Sequence, residues 1–234
     1  MIAVIPSAGR GGRLSPITAT LPKVMVEIAG KPLLAYHVEN LKKIGVDTFC
    51  INLHYLPKII TGYFGDGKKF GVKIYYFFEK ELLGTAGLLN NFRKILKRRF
   101  WFVAGDAFLP NFDFGKMELF HNKKKALITI ALRKRPDRID TDFAEIDKDF
   151  KITKVYVRPH KVRPKTNFDT CMVYLVEPEI FQYLPRNGYL DFSQQLLPKL
   201  IAKNLPVFGY ITDEFIEDVG TAARYRKVKN IFES

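Results

Sequence analysis

Cysteine is nearly absent: the 234 residues hold two, Cys50 and Cys171, beside four histidines and one tryptophan. That scarcity excludes a disulfide framework, and both cysteines sit in apolar runs that read as small core positions. His37, His54, His121 and His160 are too scattered for metal-ligand spacing. No run is long and apolar enough to span a bilayer. The amino end lacks a basic region followed by an apolar core, so no signal peptide is expected and the setting reads as cytoplasmic, without a membrane partner. Pro/Ser/Gly-rich linkers are missing too, as are internal repeats, including the hexapeptide repeats of an appended β-helix. One domain over residues 1–234 is the expectation. Acidic residues are the minority, 24 against 38 Lys and Arg, for a net charge of +14. Such a balance suits anionic substrates, nucleic acid or plain solubility. The basic clusters lie at 93–99, 123–125, 133–138 and 158–165, and the aromatic residues lie inside apolar strands rather than among them. A stacking platform for single-stranded nucleic acid is therefore not indicated.

What is present is organised around the first 32 residues. A short apolar run, 2–6, is followed at once by Gly9, Gly11, Gly12 and Arg13, then ten residues later by Lys23. Glycines directly after a buried strand let backbone amides approach a ligand, and consecutive amides form a concave donor surface for phosphate oxygens. Arg13 and Lys23 add two cations, while Pro16 and Pro22 discourage a helix between them. Two readings stand on these residues alone: a phosphate-handling loop built for a nucleoside triphosphate, or a Gly-rich β-turn with stray basic residues. The spacing is neither the P-loop nor the G-x-G-x-x-G order of dinucleotide folds.

Apolar runs at 48–53, 72–78 and 100–104 read as further strands, alternating with helical periodicity at 33–45, 56–64 and 86–96. The second half offers strands at 126–132, 171–176 and 206–211, a hairpin over 143–146 and 152–156, and helices at 116–122, 178–183, 193–202 and 221–232. The fold class expected is α/β: a three-layer α/β/α, Rossmann-like arrangement around a mixed, mostly parallel sheet. In such sheets ligands bind beyond the carboxyl ends of the strands. The Gly9 loop leaves one such end and Asp106 another. A carboxylate opposite a triphosphate is a natural magnesium ligand. Asp218 is a second carboxylate, ahead of a Gly-Thr turn and a helix, where the ordinary reading is a cap or turn acid. Gly84-Thr85 opens the 86–96 helix, with Thr85 as its ordinary cap; Gly84 would also let a nucleobase lie against backbone.

These motifs together resemble the sugar-phosphate nucleotidylyltransferases. The N-terminal signature G-x-G-T-R-L-x-P-L-T, then P-K, stands here as Gly9-Arg10-Gly11-Gly12-Arg13-Leu14-Ser15-Pro16-Ile17-Thr18, then Pro22-Lys23. Gly105-Asp106 matches the G-D motif after a buried strand, Leu83-Gly84-Thr85-Ala86-Gly87 the base-recognition segment, and Asp218-Val219-Gly220-Thr221 with Tyr225 the closing motif. The chain is most like the mannose-1-phosphate guanylyltransferases and related uridylyltransferases. The resemblance implies the nucleotide-diphospho-sugar transferase fold, with a nucleotide-binding half over about 1–110 and an acceptor-binding half over about 111–234. It implies Arg13 and Lys23 as catalytic, and Asp106 and Asp218 as sharing a catalytic Mg²⁺. Ala8, Gly9, Gly11 and Gly12 would hold the nucleotide from the first loop, Glu79, Gly84 and Thr85 from the base-recognition segment. The acceptor half departs from the pattern: Val157-Arg158-Pro159 replaces Glu-Lys-Pro, Ala144 a glycine, and Thr170-Cys171-Met172 an Asn-x-Gly. Arg158, Ala144 and Thr170 are the acceptor candidates.

The reaction implied is nucleotidyl transfer from a nucleoside triphosphate to a sugar 1-phosphate, with GTP and mannose 1-phosphate as the first pair. Glucose or amino-sugar 1-phosphates with UTP or dTTP, and a non-sugar phosphate such as phosphocholine, are the alternatives. A non-catalytic nucleotide-binding module and a nucleic-acid-binding protein are the rival classes. A homo-oligomer is left open.

Overall fold

The computed structural model describes residues 1–135 and 138–233. The basic cluster at 133–138 includes positions 136 and 137, which lie outside the described residues. The chain divides into two compact units: Met1–Leu82, Val103–Phe112 and Glu214–Ser234 form the first, Leu83–Phe102 and Asp113–Asp213 the second.

In the first unit the strand Thr48–Leu53 lies between Ile2–Pro6 and Lys73–Phe78, parallel to both, in register from Ile2 with Thr48 to Pro6 with Asn52. Ala3, Val4 and Ile5 are fully buried, as an apolar run covered on both faces should be. The helix Leu33–Lys43 buries Leu34, Val38 and Leu41 along one stripe and stops at Gly45, whose φ of 84° suits glycine. The helix Pro57–Phe64 follows Thr48–Leu53. The expected loop is three single turns of 3₁₀ helix, Gly12–Leu14, Ile17–Ala19 and Lys23–Met25, the second of them between Pro16 and Pro22.

Two elements of this unit left no mark in the sequence pattern. Ala107–Phe108 pairs antiparallel with Glu217–Asp218, and Glu27–Ile28 pairs with Lys31–Pro32. A core of Leu14, Val26, Ile28, Leu33, Phe108, Val219, Tyr225 and Val228 packs around them. The closing helix, Ala222–Phe232, is capped by Thr221, whose Oγ1 accepts from Arg224 N at 3.3 Å. Tyr225 donates its hydroxyl to Glu27 O at 2.6 Å, and Glu233 accepts from Ala29 N at 2.7 Å. The helix is thus pinned at both ends to the Glu27–Pro32 hairpin.

In the second unit Ile128–Lys134 lies between Phe168–Val176, antiparallel, and Val207–Ile211, parallel. Phe143–Ile146 and Ile152–Tyr156 form the expected hairpin, and Phe100–Val103 lies beside Phe168–Val176. Phe102, Tyr174 and Phe192 meet with ring centroids 4.9 to 5.5 Å apart. The Phe168–Val176 strand starts three residues before the expected 171–176 and slips register between Thr170 and Tyr174, where Met172 has a φ of 55°.

Three expected helices take another form here. Residues 86–96 do not form one helix: a turn of α-helix, Gly84–Gly87, passes into a 3₁₀ stretch, Leu88–Phe92. Ala86 N and Gly87 N bond to Leu190 O, both at 2.9 Å, instead of building the helix ladder. Residues 193–202 divide into a π-turn, Phe192–Leu196, and the helix Leu197–Ala202. Pro198 carries no N–H for an i−4 carbonyl, so the ladder widens ahead of it. Residues 178–183 make only a 3₁₀ turn, Pro178–Gln182. Among the described residues no helix is long and apolar enough to cross a membrane.

Candidate active site

The site is built where the Ile2–Pro6 strand ends. Gly11 takes a φ of 66°, and a methyl group there would lie 2.9 Å from Lys23 Cβ and 3.1 Å from Thr18 Cγ2. Glycine is required, and it draws the Lys23 turn against the loop. Thr18 Oγ1 donates to Gly11 O at 2.8 Å, and Tyr55 donates to Thr18 O and Ala19 O at 3.0 and 2.9 Å. Gly9 and Gly12 differ: a methyl group on either meets nothing within 4 Å. Ala8 is buried, whereas Gly9, Gly12 and Arg13 are open to solvent. The space above those glycines is what a close-packed ligand needs.

Asp106 reaches this place through Gly105, where a methyl group would lie 2.3 Å from Pro6 O and 2.8 Å from Val24 Cγ1. The turn therefore packs directly on the end of the first strand. Lys23 Nζ forms an ion pair with Asp106 Oδ2. His37 lies buried next to this turn, and burial, the largest influence on it, pushes its imidazole down to about 4, so it is neutral near pH 7.

Asp218 arrives by main-chain pairing. It sits opposite Ala107 in the two-residue ladder, and Val219 N donates to Asp106 O at 2.9 Å. A methyl group on Gly220 would lie 2.6 Å from Asp218 Oδ1, 3.4 Å from Lys23 Nζ and 3.5 Å from an Arg13 guanidinium nitrogen. Arg13, Lys23, Asp106 and Asp218 are thus brought together inside the first unit. Asp218 is no helix cap, since Thr221 takes that place.

Two carboxylates are a hard-oxygen donor pair. Among the described residues there is no group of three or more His, Cys, Asp or Glu side chains that could cage a metal. A donor set of this kind fits Mg²⁺, which keeps several waters and completes its shell with substrate phosphate.

Glu79 is buried, accepting from Asn52 Nδ2 at 2.9 Å, while Asn52 Oδ1 accepts from Ser7 N at 2.8 Å. Asn52 therefore ties the first loop to Glu79. Sequence reasoning missed it, although one amide in the apolar run 48–53 was a signal: a buried amide must be bonded. Arg224 was missed as well; it bonds Asp218 through both carboxylate oxygens.

The remaining candidates lie in the second unit. Gly84 has a φ of 78°, and a methyl group there would lie 2.5 Å from Leu190 O, so packing alone requires the glycine. Thr85 does not cap its helix; its hydroxyl donates to Asp191 Oδ2 at 2.8 Å and accepts from Phe192 N at 2.9 Å. Ala144 is fully buried and Thr170 nearly so. Arg158 is the exposed one of the three acceptor candidates; its main-chain N donates to Asp142 Oδ1 at 3.0 Å and its guanidinium to Asp140 O at 3.2 Å.

A profile of the family described as "Nucleotidyl transferase" matches residues 2–234. The UTP–glucose-1-phosphate uridylyltransferase of Synechocystis is 30% identical over 99% of this chain, which spans 65% of that protein's length. The D-glycero-alpha-D-manno-heptose 1-phosphate guanylyltransferase of Aneurinibacillus thermoaerophilus is 31% identical, over 98% of this chain and 97% of its own. A crystal structure from Bacillus anthracis, described as a glucose-1-phosphate thymidylyltransferase with sucrose, superposes with a TM-score of 0.88 at 21% identity, covering 100% of this chain and 96% of the other. That likeness confirms the fold, a mixed, mostly parallel sheet with flanking helices.

Proposed function

Because this chain belongs to the nucleotidyl transferase family, we propose that it joins a nucleoside triphosphate to a sugar 1-phosphate, releasing pyrophosphate. The observation that carries the reading is the convergence at Gly220: Arg13, Lys23 and Asp218 within one small space, with Asp106 on Lys23. No side-chain nucleophile is needed, since the acceptor phosphate is already ionised at neutral pH. The protein's work is in-line positioning and charge stabilisation. The backbone of Gly9, Gly11 and Gly12 cradles phosphate oxygens. Arg13 neutralises charge on the departing pyrophosphate, and Lys23 bridges the reacting phosphates. Asp106 and Asp218 are the residues that would hold Mg²⁺. When bound, that ion supplies positive charge at the α-phosphate. Arg158 is the candidate for the acceptor's phosphate, and Ala144, at the position near a sugar hydroxyl, and Thr170 are the other acceptor candidates. Glu79, Gly84 and Thr85 are the candidates for the nucleobase. A cytoplasmic setting belongs to the same reading.

For substrates we favour GTP and mannose 1-phosphate. The guanylyltransferase relative, whose length this chain spans almost fully, acts by its name on a manno-configured heptose. UTP with glucose 1-phosphate is the second reading, favoured by the uridylyltransferase relative and by the loop sequence Ile5-Pro6-Ser7-Ala8-Gly9. Pyrophosphate release settles the choice when each nucleoside triphosphate is paired with mannose, manno-heptose, glucose and acetylated amino-sugar 1-phosphates. GTP with a manno-configured acceptor is expected to give the highest rate. Faster release from UTP with glucose 1-phosphate would favour the second reading. Nucleotide binding without release from any pair would leave a non-catalytic module.

A further inference from the structure

Arg224 holds Asp218 in an unusual way. One guanidinium nitrogen, Nη1, donates to both carboxylate oxygens, at 2.5 Å to Oδ1 and 2.7 Å to Oδ2. It therefore sits astride the carboxylate oxygens that would hold a divalent cation. The pair is sheltered, with the Arg224 side chain 16% and the Asp218 side chain 27% exposed, so solvent screens it less than a surface pair.

The backbone beneath is fixed. Arg224 N donates to Thr221 Oγ1 in the helix cap, and the next residue anchors the helix through its hydroxyl to Glu27 O. The long side chain can move while its Cα stays in place. Arginine does not lose its proton in any working pH range, so only movement or competition can uncover Asp218. Lys23 also pairs with Asp106, through one carboxylate oxygen, Oδ2.

We propose that Arg224 is a built-in counter-ion that occupies the cation position on Asp218 and is displaced when a divalent cation binds there. This rests on the reading of Asp218 as a metal ligand. Arg224 acts through Asp218 and is a positioning residue.

Mn²⁺ binding to the full chain without nucleotide, followed by the electron paramagnetic resonance of the free ion, tests it. Arg224→Met keeps much of the stem and loses the charge; it should bind Mn²⁺ about tenfold more tightly than the parent, about 1.4 kcal/mol. Arg224→Gln serves as the neutral variant if the first does not fold, which its unfolding midpoint reports. Arg224→Lys keeps the charge and should stay within about threefold of the parent. Unchanged or weaker binding in the neutral variant overturns the proposal. So does tightening in Arg224→Lys equal to that in Arg224→Met. Asp218→Asn separates the two readings. If it binds Mn²⁺ as the parent does, Asp218 is no ligand and both fall. If it loses binding while Arg224→Met is unchanged, only the counter-ion role falls.

Discussion

Gly105 and Gly9 show two different reasons for a glycine. At Gly105 a methyl group would lie 2.3 Å from Pro6 O, and backbone gives way poorly. Gly105→Ala should cost about 1–3 kcal/mol of stability, as overpacking does, read as a lower denaturant midpoint. Gly9 meets nothing, so Gly9→Ala should leave that midpoint in place and weaken nucleotide binding. Equal midpoints for parent and Gly105→Ala would contradict the close packing of this turn. The same contrast explains what could be read from sequence. Both glycines stood out as motif residues, but only coordinates separate a glycine needed by the fold from one that leaves room for a ligand. Arg224 was illegible for another reason: its partner is fixed by a cap and a ladder, and nothing in a basic helix marks one arginine from the next.

The helix Phe114–Lys124 carries His121, packed against the Ile128–Lys134 strand. The Glu177 carboxylate can only accept, so Nε2 donates to it at 3.2 Å and Nδ1 accepts from the Thr129 hydroxyl at 2.8 Å. Burial, the larger influence, holds this imidazole below its ordinary range against the raising pull of Glu177. As pH falls below about 6.5 the unfolded chain therefore takes up the proton first. Stability present above that value is lost on acidification until the native imidazole also protonates. The unfolding midpoint should fall between about pH 7 and 5, and fall less steeply in His121→Gln. Identical pH slopes for the two proteins would contradict this. Elements with strong periodicity or continuous burial were legible. Ile2–Pro6 and Thr48–Leu53 fall where the apolar runs lie. The ladder of Ala107–Phe108 with Glu217–Asp218 was not, because two residues carry no period and their partners are far apart in sequence. Yet that ladder is what brings Asp218 to Asp106. The 86–96 helix was misread because apolar spacing survives where the hydrogen-bond ladder does not.

At the scale of the molecule, the +14 charge has a local explanation. All four basic clusters fall in the second unit, and several of their cations are used within it. Arg93 bonds Phe181 O at 3.0 Å, Arg99 pairs with Glu177 at 2.5 Å, Arg138 with Asp140 at 3.2 Å, and Arg158 bonds Asp140 O. Such bonds make these four arginines parts of the fold. The central claim concerns the first unit: two carboxylates distant in sequence serve one reaction. Pyrophosphate release by Asp106→Asn and Asp218→Asn, at matched unfolding midpoints, tests it most directly. Each variant should lose roughly 10²–10³ or more in turnover, the scale of one lost electrostatic contact at a reacting centre. Near-parent turnover in either variant would contradict the claim.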